Sequence, residues 1–270
     1  MRASAAATGD LEPPLAPGAP LAPGYVVEDH LSRNQVLDVY EVWSAERDCR
    51  CVAKVLRPDC RTHERRAERL EREGRLLLEL AHPHLVRAFE MLRDPELVVV
   101  LETLTGERLD HLIARGERRM PTYEVAELGA QLCSVVGYLH RHGWLHLDLK
   151  PTNVIVDAGI VKLFDLSLVR PPGRGKVRYG TAGYLAPEQV AGDEFTEATD
   201  VFGLGCVLFA AATRRGPRAG REGCPPPPPV RTLRRLPAPL AEAIDACLAE
   251  EPAARPTVRD LAAVCAATAD

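Results

Sequence analysis

The chain has 270 residues, 46% of them hydrophobic and 27% charged, which is enough apolar material for a large buried core. Its 34 basic and 38 acidic side chains leave a formal net charge of -4, so binding of nucleic acid by general charge attraction is not expected. The sequence contains neither an apolar run of about 18 residues nor a charged leader followed by an apolar stretch. We therefore expect no membrane span and a cytoplasmic location.

Residues 1–24 are rich in proline, alanine and glycine and poor in large apolar side chains, and we expect them to form a disordered tail. Beyond them, β-branched clusters typical of strands continue to residue 104 and are interrupted by one helical stretch at 62–80. This pattern predicts a small sheet with one helix over 25–104. The strands are expected at 25–27, 39–42, 51–55 and 97–101.

From residue 105 to residue 270, apolar side chains recur at spacings of three and four, which predicts a mainly helical region. Residues 213–239 interrupt this periodicity with seven arginines and a run of five prolines. We expect an irregular surface connection there, because proline-rich sequence cannot continue a helix.

The segment 146–153, with the sequence HLDLKPTN, places an aspartate, a lysine and an asparagine in one short loop. A second acid follows at position 165, across a predicted hairpin. Phosphoryl transfer requires a carboxylate for the proton of the attacking hydroxyl, a cation for the moving phosphate, and an amide and another carboxylate to hold Mg²⁺. These four groups are supplied, in that order, by Asp148, Lys150, Asn153 and Asp165. The set predicts a phosphoryl-transfer site.

Around this loop the chain resembles a eukaryotic-type (Hanks-type) protein kinase domain, most closely the bacterial serine/threonine kinases, over residues 25–267. The run Cys51-Val52-Ala53-Lys54 is similar to the lysine motif of the third strand, and Glu73 stands where the family has the helical partner of that lysine. Ala186-Pro187-Glu188 is similar to the end of the activation segment, and Arg255 matches the ion-pair partner of its glutamate.

This resemblance implies an α+β fold of two lobes. A small, mainly β N-lobe with one helix would occupy 25–104, and a larger, mainly α C-lobe would occupy 105–270. Asp200 matches the acid that braces the catalytic loop.

The resemblance also implies ATP and Mg²⁺ as cofactors and assigns residues to them. The catalytic residues would be Asp148 and Lys150 with Lys54, which Glu73 orients on the nucleotide phosphates, and the metal ligands would be Asn153 and Asp165. The adenine site would comprise Leu101, Glu102 and Leu104 at the gatekeeper and hinge, and Val39, Ala53 and Ile155, which sandwich the base.

The glycine-rich loop, which covers the nucleotide phosphates in this family, has lost its glycines here. Alignment of Leu31 and Val39 with the two ends of the loop places Ser32, Asn34 and Leu37 at the three glycine positions. Glycine permits a positive φ, which costs other residues about 1–2 kcal/mol, and it permits close backbone approach to phosphate. We therefore expect nucleotide binding to be weaker or differently shaped.

The activation segment departs from the family as well. Ser167 replaces the glycine that permits a backbone flip in the magnesium motif, and Leu147 replaces the arginine that binds a phosphorylated segment. No serine or threonine occurs between Ser167 and Thr181, which leaves Tyr179 as the acceptor within the segment. We expect the segment to be ordered constitutively or by an acidic partner.

Between residues 168 and 180 the chain carries four cations and no acid. This composition favours an acidic protein substrate or partner, although a solvated basic loop would have the same composition. The cations are Arg170, Arg174, Lys176 and Arg178.

Three functions fit these residues to different degrees. Lys150 together with Thr181 resembles the serine/threonine pattern, which favours phosphorylation of protein Ser and Thr hydroxyls. A small-molecule phosphotransferase of the aminoglycoside type shares the acid-and-amide loop but would lack Ala186-Pro187-Glu188 and Arg255. The third alternative is a pseudokinase scaffold, which the loss of the loop glycines favours and the retained catalytic residues disfavour.

Overall fold

The computed structural model describes residues 12–116, 119–217 and 227–269. The chain divides into two compact units between Thr103 and Leu104, one residue before the predicted boundary. The segment His82–Val86, which the sequence placed in the N-lobe, belongs to the second unit. Its backbone is hydrogen-bonded there, because Val86 N donates to Leu163 O at 2.9 Å and Leu163 N donates to His84 O at 2.8 Å.

The first unit is an antiparallel six-stranded sheet with one helix. The sequence predicts a small sheet with one helix and four of these six strands. The helix α1 spans Glu64–Glu79 and matches the expected stretch within two residues. The fifth strand was not predicted, because its five residues carry only a weak alternation of apolar and polar side chains. In spatial order the strands are β1 (Pro20–Ala22), β2 (Tyr25–Arg33), β3 (Leu37–Ser44), β4 (Cys49–Leu56), β6 (Val98–Glu102) and β5 (Ala88–Leu92).

The prediction of a disordered tail over 1–24 is wrong for the residues of β1. This strand pairs with β2, and Pro20 lies opposite Val26. Leu21 and Ala22 are buried in the apolar cluster of the sheet, so their burial offsets the entropy lost on ordering. Residues 1–11 lie outside the described residues.

The two faces of this sheet carry different residues, because successive side chains in a strand point to opposite sides. One face forms the apolar cluster, which includes Tyr40, Ala53 and Val100. The alternate residues of the same strands, including Lys54 and Val99, occupy the other face. Helix α1 packs against β4, β5 and β6.

The second unit is mainly helical, as predicted. Its seven helices are α2 (Leu109–Arg115), α3 (Thr122–Arg141), α4 (Pro187–Ala191), α5 (Glu197–Thr213), α6 (Val230–Leu233), α7 (Ala238–Cys247) and α8 (Val258–Ala269), counted over the described ranges. Two small antiparallel sheets accompany them, one of β7 (Glu107–Arg108), β8 (Val154–Asp157) and β9 (Ile160–Leu163), the other of β10 (Gly173–Arg174) and β11 (Glu194–Phe195). No helix in the described part of the chain has the length and apolar character needed to cross a membrane.

The irregular connection predicted at 213–239 is interrupted by one helical turn. Helix α6 forms because Val230 is buried and its N–H donates to Asp245 Oδ1 at 2.8 Å. Residues 218–226 of this connection lie outside the described residues.

Helix α5 forms the centre of the second unit, and nearly all of its residues are buried. It approaches the catalytic loop closely at Gly203, where an added Cβ would lie 2.8 Å from the Cβ of Leu149. A side chain at position 203 would therefore push this loop away from the helix.

Candidate active site

The lysine and glutamate that the sequence pairs are bonded to each other in the first unit. Lys54 Nζ on β4 donates to Glu73 Oε1 on α1 at 2.7 Å. Only 10% of the lysine side chain and 1% of the glutamate side chain are exposed. A charge pair shielded in this way is held in one geometry, which fixes the position of the ammonium group.

The strand register corrects one of the predicted adenine contacts. Val39 lies directly opposite Lys54 and shares its face of the sheet. Ala53 is fully buried on the opposite face, inside the apolar cluster, so it is the wrong residue for contact with a base. Val52 lies two residues before Lys54 and pairs with Leu101. It therefore shares the face of Lys54, where the prediction had placed Ala53.

The other predicted adenine contacts are divided between the two units. Glu102 ends β6, and its backbone N–H donates to Arg87 O at 2.9 Å while its carboxylate accepts from Arg87 N at 2.9 Å. Leu104 begins the second unit, and Ile155 lies half-buried on β8.

The loop between β2 and β3 folds into a closed hairpin without glycine. Asn34 Oδ1 accepts from Val36 N at 2.7 Å and from Leu37 N at 2.8 Å, and Asn34 N donates to Leu37 O at 3.0 Å. Ser32, Asn34 and Leu37 all keep negative φ, so the backbone strain expected from the missing glycines does not arise. Three backbone N–H groups at the tip of the loop donate hydrogen bonds to other atoms of the loop.

An ion pair and hydrogen bonds from two arginines hold the same hairpin closed. Arg33 donates two hydrogen bonds across the strands to the buried Asp38, at 2.7 and 2.9 Å. Arg57 binds the tip through its backbone N–H to Val36 O and through its guanidinium to Asn34 O, both at 3.0 Å. A loop held in this way is closed and rigid.

In the second unit, the buried carboxylate of Asp200 holds the backbone of the catalytic loop, as the sequence predicts. It accepts from His146 N and from Leu147 N, each at 2.8 Å. Leu147 has a φ of 63°, and Gln189 Nε2 on α4 donates to its carbonyl at 2.9 Å. A leucine in this region is strained by about 1–2 kcal/mol, and these buried hydrogen bonds hold it there.

Three polar side chains surround the carboxylate of Asp148. Lys150 Nζ donates to Asp148 Oδ2 at 2.5 Å and to Thr181 Oγ1 at 2.6 Å, and Thr181 Oγ1 donates to Asp148 Oδ1 at 2.6 Å. Asn153 Nδ2 donates to the backbone carbonyl of Asp148 at 3.0 Å and lies 3.3 Å from its Oδ2 as a second acceptor. Lys150 of the loop and Thr181 of the activation segment thus hold the two carboxylate oxygens, with a cation beside them.

His146 supports this arrangement from within the core. Burial lowers the pKa of its imidazole, and the neighbouring carboxylates of Asp200 and Asp148 only partly oppose that shift. The ring is therefore neutral near pH 7, and its Nδ1 accepts from Asp148 N at 3.2 Å.

The predicted metal ligands are brought close by the hairpin of β8 and β9. Phe164 N, next to Asp165, donates to Asn153 O at 3.0 Å. Asp165 Oδ1 accepts from Ser167 N at 3.1 Å. Ser167 keeps negative φ, so position 167 does not require glycine, while Asp165 itself has a φ of 71°. An amide oxygen and a carboxylate from paired segments fit Mg²⁺, which takes few protein ligands together with substrate phosphates.

An apolar cluster occupies the place of the catalytic-loop arginine that would bind a phosphorylated activation segment. Leu147 packs with Leu145 and Phe195, all three buried, and Tyr179 lies against them with its ring centre 6.1 Å from that of Phe195. The Tyr179 hydroxyl donates to Leu168 O at 3.2 Å. Packing therefore links the catalytic loop and the activation segment where the family uses a charge.

Backbone pairing holds the middle of the same segment. Strand β10 pairs with β11, and Gly175 N donates to Asp193 O at 2.9 Å. A Cβ at Gly175 would lie 1.9 Å from the ring of Phe195, so only glycine allows this approach. Arg178 N donates to Gln189 O at 2.7 Å, which fixes the end of the segment on α4.

The predicted pair that closes the segment is present. Arg255 donates to both carboxylate oxygens of Glu188, at 2.7 and 2.9 Å, and its guanidinium lies 4.9 Å from the ring centre of Phe202. A family model for the protein kinase domain matches residues 25–264, nearly the whole of this architecture.

The chain belongs to the protein kinase family. It is 31% identical over 231 residues to the serine/threonine-protein kinase PkaA of Streptomyces coelicolor, covering 77% of this chain and 41% of that protein. It is 31% identical over 179 residues to PknB of Mycobacterium leprae, covering 62% of this chain and 29% of that protein. The chain therefore spans less than half the length of these two kinases.

Solved structures agree with the fold. The kinase domain of PknI from Mycobacterium tuberculosis superimposes with a TM-score of 0.77 at 25% identity, and the match covers 95% of this chain and 99% of that one. Bacterial serine/threonine kinases are thus among the relatives of this kinase domain in sequence, and a bacterial kinase domain matches it in structure.

Two residues that shape the site were not predicted from the sequence. Gln189 bridges α4, the catalytic loop and Tyr179 O, and the only signal for it is its place directly after the Ala186-Pro187-Glu188 motif. Phe195 lies in no motif, and only the close packing of Gly175 on its ring identifies its role.

Proposed function

We propose that this kinase domain transfers the γ-phosphoryl group of Mg-ATP to serine or threonine hydroxyls of protein substrates. The observation that carries the proposal is the placement of Lys150 and Thr181 on the two carboxylate oxygens of Asp148. A carboxylate held beside a cation and a hydroxyl can orient an incoming alcohol, accept its proton and leave positive charge next to the transferred phosphate.

The remaining residues take roles around this centre. Asp148 accepts the proton of the acceptor hydroxyl, and Lys150 stabilises the negative charge that develops on the transferred group. Lys54, held by Glu73, would bind the nucleotide phosphates. Mg²⁺ would be held by Asn153 and Asp165, and the bound ion neutralises charge on the phosphates.

A nucleotide-binding scaffold with little transfer is the second candidate, and the closed hairpin favours it. The N–H groups of Asn34, Val36 and Leu37 are bonded within the loop. Backbone amides committed in this way are not free to bind phosphate, and that weakens one of the contacts expected to hold ATP.

Phosphorylation of a peptide that carries one serine and one tyrosine, with radiolabelled ATP, separates the two candidates. We expect Asp148→Asn to lower the rate at least about 100-fold, because it removes a positioned base. Asp48→Asn, at an exposed turn residue with φ of 51° that asparagine tolerates, is the matched control and should leave the rate unchanged. Full activity in Asp148→Asn, or phosphotyrosine in the hydrolysed product, would contradict the proposal.

Calorimetry tests the nucleotide site. We expect Mg-ATP affinity about tenfold weaker than for a loop with free amides, equivalent to ~1.4 kcal/mol. Asn34→Gly removes the side chain that occupies the Val36 and Leu37 amides and should tighten binding. Asp165→Ala should abolish the magnesium-dependent part of the heat. Binding without any transfer would favour the scaffold.

A further inference from the structure

The activation segment presents a row of cations that the catalytic site does not use. We call this row the cationic strip and define it as Arg170, Arg174, Lys176 and Arg178. No acid occurs between residues 168 and 180, although the whole chain has a net charge of -4. The strip is therefore a local positive surface on an otherwise slightly acidic protein.

The backbone that carries the strip is fixed along its length. Leu145 and Arg170 exchange two backbone hydrogen bonds, of 2.8 and 3.1 Å. Further along, β10 pairs with β11 and Arg178 N is bonded to α4. Side chains on an ordered backbone lose less conformational entropy when they bind a partner.

The central cations of the strip are available to a partner. Arg174 and Lys176 are exposed, and within the described ranges their side chains form no hydrogen bond or ion pair. Glu194 lies directly opposite Arg174 on the neighbouring strand but does not pair with it. The guanidinium of Arg170 lies 5.7 Å from the ring centre of Phe195, which holds it over the strand pair.

An apolar residue lies within the strip. Val177, between Lys176 and Arg178, is 66% exposed, more than any other large apolar side chain in the described part of the chain. An exposed apolar side chain flanked by cations suits a peptide that presents acids around an apolar contact.

The strip leads directly into the catalytic site. Thr181, whose hydroxyl is 2.6 Å from Asp148 Oδ1, follows Arg178 by three residues, or about 10 Å of chain. A peptide whose hydroxyl reaches Asp148 therefore places its neighbouring residues beside the strip. We propose that the cationic strip selects protein segments with Asp or Glu near the acceptor Ser or Thr. This inference rests on the proposed function of the same site.

Matched peptides test this specificity. Three serine peptides of one length, with flanking Asp and Glu, with flanking Asn and Gln, or with flanking Lys, are compared by kcat/KM. We expect kcat/KM for the acidic peptide to be at least tenfold higher than for the neutral one. The difference should lie in KM, and 0.5 M salt should reduce it because salt screens the charges. The double variant Arg174→Ala, Lys176→Ala should remove this preference and leave the neutral peptide unchanged. Arg235→Ala, Arg259→Ala removes the same charge at exposed positions elsewhere and should preserve the preference.

Peptide binding to Asp148→Asn, measured by fluorescence anisotropy without ATP, separates the two proposals. Binding of the acidic peptide that depends on Arg174 and Lys176, with no phosphorylation by the parent protein, supports the strip and contradicts the kinase activity. Phosphorylation without an acidic preference supports the kinase activity and overturns the strip. Binding of the strip to RNA or to anionic vesicles, but not to the acidic peptide, also overturns it.

Discussion

We expect Phe195→Ala to loosen the activation segment and to destabilise the whole second unit. The Phe195 ring is fully buried, contacts Leu145 and Leu147, and covers the backbone at Gly175. Removing a buried phenylalanine side chain costs about 3–5 kcal/mol, which is a large part of the 5–15 kcal/mol by which a typical domain is folded. The milder Phe195→Leu keeps an apolar side chain in place and should cost less than about 1.5 kcal/mol.

Urea unfolding measures the loss of global stability, and hydrogen exchange measures the loosening of the activation segment itself. The amides of Gly175 and Arg178 are bonded to Asp193 O and Gln189 O, so their exchange reports on the segment directly. We expect both amides to exchange faster in Phe195→Leu, while amides of the buried helix α5 speed up by no more than the global loss of stability accounts for.

Ile160→Ala is the control, because Ile160 is a large apolar residue of the same unit with 53% of its surface exposed. Its free energy of unfolding should change by no more than about 0.5 kcal/mol. A loss below about 1 kcal/mol in Phe195→Ala, with unchanged exchange at Gly175 and Arg178, would refute the view that this cluster orders the segment.

Three further outcomes follow from the geometry. Thr181→Ala should lower kcat about tenfold to a hundredfold, since a hydrogen bond to a charged group contributes about 1.5–3 kcal/mol, and Thr181→Ser should restore it in the same peptide assay. Phosphatase treatment should leave activity unchanged, because an apolar cluster replaces the phosphate-binding arginine; a large drop that Tyr179→Phe abolishes would contradict this. Burial acts to raise the pKa of Asp38, but hydrogen bonds from Arg33 and His30 hold it below its ordinary value. Ionised Asp38 therefore stabilises the fold above its unfolded-state pKa of about 3.9, and this stabilisation is lost as the pH falls below that value. Between pH 7 and pH 3, the free energy of unfolding in urea should fall more for the wild type than for Asp38→Asn.

Local sequence determined much of this protein. The catalytic loop contains Asp148, Lys150 and Asn153 within six residues, so their proximity follows from chain connectivity alone. The pairing of Lys54 with Glu73, which the structure shows, was expected from the resemblance to the kinase motifs. The two lobes and their boundary follow from the change from strand patterns to helical periodicity.

Other features depend on register and packing between distant segments. Whether Ala53 or Val52 shares a face with Lys54 is set by the pairing of β4 with its neighbours, and a shift by one residue exchanges the faces. The missing glycines suggested strain, yet the side chain of Asn34 forms the turn with negative φ.

The ordering of the activation segment was decided by tertiary structure alone. The sequence showed that Leu147 replaces an arginine and that the segment lacks Ser and Thr. This removes ordering by a phosphate and leaves constitutive ordering and an acidic partner as alternatives, without naming the residues involved. The replacement is an apolar cluster between Leu147 and Phe195, 48 residues apart along the chain, closed by Gly175. Hydrophobic contacts are non-directional and carry no local motif, so only the folded chain shows which of its many apolar residues meet.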